Sequence, residues 1–346
     1  MHPARRATPD TIPPWRRSTV RSSKLPKFVL CGLLGTALLA PGRTHAQNLT
    51  LEGQTGGFIT PTAYVVYGEK GTLFSHPAVG YHFVDANKVI GDIHTFSIAE
   101  GLANRAEVGY TRSVHWTGDS TSFSNLWHYA GMNIFSGKVV AIKDGQFAPL
   151  VPGVAAGFVV RTGDKFVSGA LGQELAALQG VNAPPKSYTN GDLYVTATKT
   201  WLHPPVPLLV NLGWKATNAS IYGIGGQSTR FGGRVFGGLG IPLPGPFKTA
   251  IVPAAGFTQE PPTSVNLGAI LVGGRAHLPT TLDYAVRVTQ KEHPHFAFDI
   301  GVGQVANMIG TTEVPTGLPA PYPPYVAVPV DLQARHVVGV GLSIRP

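Results

Sequence analysis

The sequence predicts an all-β protein: an antiparallel up-and-down transmembrane β-barrel of about 12–14 strands, the size class in which bacterial barrels fall. Three observations carry this reading. Segments that alternate apolar and polar residues recur down to the C-terminus, each closed by a Pro- or Gly-rich turn. Side chains in a strand point to opposite faces at period two, so each segment is two-sided. Only 13% of the residues are charged, where a soluble domain carries about a quarter. Finally, no apolar run beyond residue 46 approaches the roughly 20 residues of a spanning helix, whereas a barrel spreads its lipid-facing residues over every second position.

Residues 1–46 read as a cleaved signal peptide. Arg5, Arg6, Arg16, Arg17, Arg21, Lys24 and Lys27 form its basic region, Phe28–Ala40 its apolar core, and Ala46 the small residue before cleavage at Gln47. The apolar core is too short to span a bilayer. The leader, with Arg43, holds eight of the 27 basic residues and one of the 18 acids, Asp10. Residues 47–346 therefore carry 19 basic against 17 acidic residues, and no basic bias that would suit nucleic acid. The single cysteine, Cys31, also lies in the leader, near the start of its apolar core instead of just after it, so it is not a lipid-attachment site. The expected location is the outer membrane of a Gram-negative cell, reached by general secretion.

Along the chain, Asn48–Tyr67 is broken by Gly56-Gly57 and Pro61, and reads as a turn before the first strand, without a ligand role. Strands are expected at Pro77–Asp85, Val89–Ala99 and Arg105–Trp116. Leu126–Ala141 should hold at least one, with a further short piece at Lys138–Lys143. Gly153–Arg161 follows. Ala170–Gln179 is the one stretch with helical spacing, through Leu171, Leu175 and Leu178. The hairpin Gly191–Thr217 is the clearest unit: Leu208, Val210, Leu212 and Trp214 oppose Asn211, Gly213, Lys215 and Thr217. Then come Arg230–Ile241, Lys248–Thr258, Val265–Ala276, Leu282–Gln290, Phe296–Gln304 and Arg335–Ile344. Gly310–Val330, rich in Pro and Tyr, reads as a long extracellular loop, and Lys291–Pro294 as a short periplasmic turn. Asp164–Asn190 is long on whichever side it falls. Arg112 falls on an otherwise apolar face.

Two pieces resemble a known group. GFITPTA (Gly57–Ala63) and PLVPGVAAGFVVRTG (Pro149–Gly163) are similar to recurring elements of a family of Gram-negative outer-membrane β-barrel proteins. Some of that family are linked to exopolysaccharide production, and most have no assigned activity. The resemblance implies a porin-like barrel connected with surface polysaccharide export. The chain departs from the barrel pattern at its end, Ile344-Arg345-Pro346, where an aromatic residue is usual.

If the alternation holds, Glu107, Lys199, Lys215, Arg230, Arg234, Asp283, Arg287 and Asp299 line the lumen. Two outcomes are open at this point. Mixed charge around water gives a passive pore with mild ion preference; charges that pair across strands close it. No G-x-S-x-G elbow, HExxH, phosphate loop or EF-hand is present, so no catalytic residue, cofactor or metal is expected. His293-x-His295 would put two rings on one face but lacks a third ligand. The expected function is a porin-like passive channel or an envelope-associated structural barrel. Alternatives are an outer-membrane enzyme acting on lipid and a soluble secreted β-sandwich or adhesin. Expected partners are outer-membrane lipid, the barrel-assembly machinery, and small hydrophilic solutes or polysaccharide. On this reading Val210→Arg is costly at the lipid face and Asn211→Arg is tolerated in a wet lumen.

Overall fold

A computed structural model describes residues 48–116, 131–164, 187–202, 207–219, 227–261, 263–264, 275–276, 278–290, 295–305, 308–315, 319–331 and 333–345. Twelve strands form the barrel: β1 Ala78–Asp85, β2 Asp92–Leu102, β3 Ala106–Trp116, β4 Gly131–Ile142, β5 Gly153–Asp164 and β6 Ser187–Trp201. The rest are β7 Leu208–Ala219, β8 Gln227–Gly240, β9 Thr249–Thr258, β10 Thr281–Gln290, β11 His295–Gln304 and β12 Val337–Arg345. Each pairs antiparallel with its neighbours in sequence, and β1 pairs with β12 to close the ring. Closure leaves no edge strand, which is what lets a sheet stand in a bilayer. It also excludes the two-sheet sandwich.

The alternation explains the wall. On β3 the buried positions are Glu107, Thr111, Ser113 and His115, while Val108, Tyr110 and Trp116 are exposed. On β7 Leu212 and Trp214 point out, and Asn211, Lys215 and Thr217 are buried. β10 repeats this, with Leu282, Tyr284 and Val286 exposed against buried Asp283 and Arg287. Exposed apolar side chains thus cover the outside and polar ones face the bore, the inverse of a soluble protein.

The rims differ. Strand β1 begins where β12 ends, since Val79 lies opposite Ile344. That rim carries the connections 103–105, 143–152, 202–207, 241–248 and 291–294; the opposite rim carries 86–91, 117–130, 165–186, 220–226, 259–280 and 305–336. Of the 164–190 stretch, Asp164 ends β5 and Ser187–Asn190 open β6, and the residues between lie outside the described ones. The connection 86–91 includes one helical turn, Asn87–Ile90.

Several expectations change. Leu126–Ala141 and Lys138–Lys143 contribute a single strand, β4. Of the strand expected at Val265–Ala276, all but Arg275–Ala276 lie outside the described residues; Arg275–Ala276 pair with Thr263–Ser264 outside the barrel sheet, and β9 pairs directly with β10. Gly310–Val330 is not a bare loop. Met308–Pro315 and Tyr325–Asp331 form a two-stranded ribbon. Both of its strands are edges, where a proline such as Pro329 costs no ladder bond within a wider sheet. The Ala170–Gln179 helix and His293 lie outside the described residues.

The face assignment has a direct test. Leu212, 57% exposed midway along β7, should cost about 2–4 kcal/mol when changed to Arg, the range for a cation at the bilayer midplane. Urea unfolding of the protein in liposomes measures it, with Leu212→Val as the near-neutral control.

Candidate functional site: the filled lumen

The bore is occupied by the chain's own Asn48–Tyr67 segment. Nearly every residue from Asn48 to Val66 is buried, although none belongs to a wall strand. The segment folds back on itself: the Gly56 amide donates to Asn48 O (2.9 Å), Leu51 to Phe58 O (2.9 Å) and Gly57 to Thr60 O (2.8 Å). Gly53 has φ +81°, and a Cβ there would also strike Thr111 Oγ1. At Gly101 of β2 a Cβ would lie 1.7 Å from Val66 O. Glycine at these two points lets plug and wall approach. The chain leaves the bore at the rim of short connections, where the Gly68 amide donates to Asn104 Oδ1 (2.7 Å) and Arg345 Nη1 to Tyr67 O (2.6 Å).

Three ion-pair stations hold the plug, the first and third built from residues directly opposite on adjacent strands and the second from a diagonal pair. At the first, Glu107 and Lys138 are cross-strand partners on β3 and β4, 3.4 Å apart and both buried. Glu107 accepts from the amides of Thr55 and Val66 (both 2.9 Å) and from the Thr55 hydroxyl. Lys138 Nζ donates to the carbonyls of Thr55 (2.9 Å) and Thr62 (3.1 Å). At the second, Arg161 of β5 pairs with Asp192 of β6 (2.7 Å) and with Glu52 of the plug, Nη2 to Oε2 being 2.8 Å. At the third, Arg287 of β10 and Asp299 of β11 form a bidentate pair (2.7 and 3.0 Å). Arg287 Nη1 also donates to Gly56 O (2.8 Å), and Asn48 Nδ2 donates to Asp299.

Hydrogen bonds fill the intervals. The Ala63 amide donates to Thr198 Oγ1 (2.8 Å) and Asn211 Nδ2 to Pro61 O (3.0 Å). Tyr64 donates to Asp144 Oδ2 (3.0 Å), and burial pushes its phenol well above its ordinary value, keeping it a neutral donor. Asp144 in turn pairs with Lys199 Nζ (2.6 Å). Apolar contacts complete the fill: Leu49 and Val66 pack with Ala78 and Ala99, and Ala63 and Val65 with Val140 and Ala155. Phe236 and Tyr194 meet edge to face inside the wall beside Met132, Ile134 and Val159.

Glu107, Lys215, Asp283, Arg287 and Asp299 are thus buried inside the ring, whereas Lys199, opposite Val210, stands on the outward register of β6 near the rim and is buried against Asp144. Lys215 borders a space of about 20 Å³ shared with Glu52 and Asp192. Arg234 lies opposite Lys215 and donates through Nε to Glu260 O (2.9 Å) in the 259–280 connection. The Arg230 backbone is in β8, and its side chain lies outside the described residues. A second space, about 70 Å³, lies between Gly57, Phe58 and Thr60 of the plug and the small residues Gly238, Ala254, Gly256 and Ala285. At about 10–15 Å³ per water, these spaces hold one water and a few waters, not a path for solutes. Among the described residues, no cluster of three metal-ligating side chains occurs. Lys138, Arg161 and Asp192 carried the right signal in sequence, a charge on the inward register of a two-sided strand. Glu52 and the plug carried none, since their segment has no period.

A closed barrel with an apolar outside and a polar inside is a membrane-spanning barrel, here with an internal plug. No family model matches the chain, and neither does any curated protein. Similar solved structures include the KdgM porin, at 11% identity and a TM-score of 0.41 over 78% of this chain and 99% of that one. The translocator domain of the autotransporter NalP from Neisseria meningitidis is 13% identical, with a TM-score of 0.36 over 80% of this chain and 90% of that one. The β domain of the Bordetella autotransporter BrkA is 9% identical, at 0.35 over 79% and 99%. The fold assignment rests on the strand pairing.

Two substitutions probe the plug's anchors. Glu107→Gln leaves Lys138 buried without its counter-charge and should cost about 3–5 kcal/mol in urea unfolding, while adding Lys138→Met recovers most of the loss. Asn211→Arg, harmless in a wet bore, should now be destabilising by more than 1 kcal/mol, since it removes the bond to Pro61 and buries an unpaired cation.

Proposed function

We propose that this protein is an integral barrel of a Gram-negative outer membrane, closed at rest by its own N-terminal segment, with a porin-like passage for small hydrophilic solutes only when that segment leaves. The filled bore inside an apolar wall carries the reading. Glu107, Lys138, Arg161, Arg287 and Asp299 each bond the plug directly, so the charges of the three stations close the bore instead of lining a channel. The asymmetric rims fit the orientation expected of such barrels: short turns and both strand termini on the periplasmic side, long connections outside. Export of a surface polysaccharide rests on the resemblance of GFITPTA and Pro149–Gly163 alone. It would require the whole plug to leave, because a polymer is far wider than the present spaces.

The role is non-enzymatic on this reading. The charged groups of the three stations are held by structural partners, and the two spaces described beside the plug are water-sized. An enzyme acting on lipid would instead need an accessible nucleophile on the outer wall or at a rim.

Planar bilayers decide the matter. The full-length protein is expected to give flat traces, and a variant lacking residues 48–67, inserted by the same protocol, discrete channels. Steady conductance from the intact protein would sink the closed reading. Recovery of the protein in a soluble fraction without detergent would sink the membrane reading itself.

A further inference from the structure

Two cations stand at outward register positions of the wall strands among the described residues: Lys199, opposite Val210 and paired with Asp144 at the rim of short connections, and Arg112, which has no such carboxylate. Arg112 sits on β3 between Tyr110 and Val114, on the face that otherwise meets lipid. The surroundings are arranged around it. Its Nη1 donates to Asn133 Oδ1 (3.3 Å), and Tyr110 donates to the same oxygen (2.9 Å). Gly131 makes room: a Cβ there would lie 2.3 Å from Arg112 Nη2, so the guanidinium comes close to β4 at this glycine. A guanidinium has five N–H donors, and the one bond leaves most of them open. Its ion-pair partner is not a protein carboxylate among the described residues; the outward acids Asp85, Asp92 and Glu100 make no ion pair with it.

Its height in the wall matters. Arg112, Asn133, Thr162 and Thr189 face one another in one cross-strand row. In β4, β5 and β6 that row lies two residues from the strand ends at the rim of long connections. Toward β4–β6 the row is polar, whereas toward β2 and β1 it continues through Phe96 and Tyr81, and the neighbouring row of Tyr110 beside Phe135 is apolar. Trp116, its ring 4.6 Å from that of His94, marks the same rim with an aromatic of the interfacial type. Arg112 lies four residues before Trp116, and its guanidinium reaches Gly131, the first residue of β4 at that rim, so its charged end is directed toward the headgroups.

Beside Arg112 the outer wall has an apolar groove of about 440 Å³, lined by Val79, Tyr81, Phe96, Ile98, Leu342 and Ile344. An isolated cation at one edge of an apolar groove matches an amphiphile with an anionic head. We propose that Arg112 binds the phosphate of an anionic membrane lipid, one acyl chain of which lies in this groove. The planar fork suits two phosphate oxygens at once, which a lysine could not match. The inference rests on the wall facing lipid, as in the function proposed above.

The test uses the full-length protein in dodecyl maltoside, followed by loss of the compact band on heating. Dimyristoyl phosphatidic acid is expected to raise the unfolding midpoint saturably. Arg112→Met should weaken its apparent affinity about tenfold, the scale of one lost charge-assisted contact, with Arg112→Lys between the two. Ile98→Trp, which fills the groove and keeps the charge, should weaken it as well. Unchanged affinity in Arg112→Met would overturn the site. So would an equal rise from dimyristoylglycerol, which lacks the phosphate, or from inorganic phosphate, which lacks the chain. Arg112→Met that still needs detergent and migrates as a compact, heat-modifiable band keeps the membrane barrel intact whichever way binding falls.

Discussion

The structure depends on the buried pair Glu107–Lys138. These residues face each other across β3 and β4, and the pair does two things at once. Glu107 takes two amides and a hydroxyl from the plug, and Lys138 gives its protons to two plug carbonyls. A buried ion pair is costly to desolvate unless its remaining lone pairs and protons are satisfied. Here the plug backbone satisfies them. Wall and plug therefore satisfy each other: with the plug gone the pair would have to be hydrated by water entering the bore, and without the charges the irregular plug backbone would lie unsatisfied inside the ring. Arg161 with Asp192, and Arg287 with Asp299, repeat the device on other sides of the ring.

This reciprocal bonding explains why a wall of ordinary barrel strands encloses no bore. The plug is held at several separated points, so freeing it means breaking the stations together. It leaves the bore on the side where β1 begins, bonded to Asn104 and Arg345. Any opening transition has to start from contacts on the rim of short connections or from the Asn48 end at Asp299. The small residues of β8 to β10 beside the 70 Å³ space are where the fill is thinnest.

The wall was legible in sequence because period two reports it directly. Glu107 against Val108, Asn211 against Leu212 and Asp283 against Tyr284 fall on the expected faces, and the even strand number follows from closure. The register rule that placed Arg112 outward was also sound; its oddity is a feature of the wall. Elements without a period were not legible. GFITPTA looked like a turn, and it is one, yet nothing local distinguishes a turn before a barrel from a turn inside it. That distinction is set by Glu107, Lys138 and Arg287, distant in sequence from Thr55 and Gly56. The prolines of 310–330 hid a ribbon whose strands are free to carry them.

Solvent access to the plug tests the account most directly. Residues 47–346 contain no cysteine, so Val65→Cys would report from a position fully buried in the bore, and Phe147→Cys from one 72% exposed in a rim connection. With the variants folded in membranes, a water-soluble maleimide should label Cys at 147 within minutes and leave the one at 65 unmodified until heat unfolds the barrel. Equal labelling of both in the folded protein would mean that the segment does not close the bore.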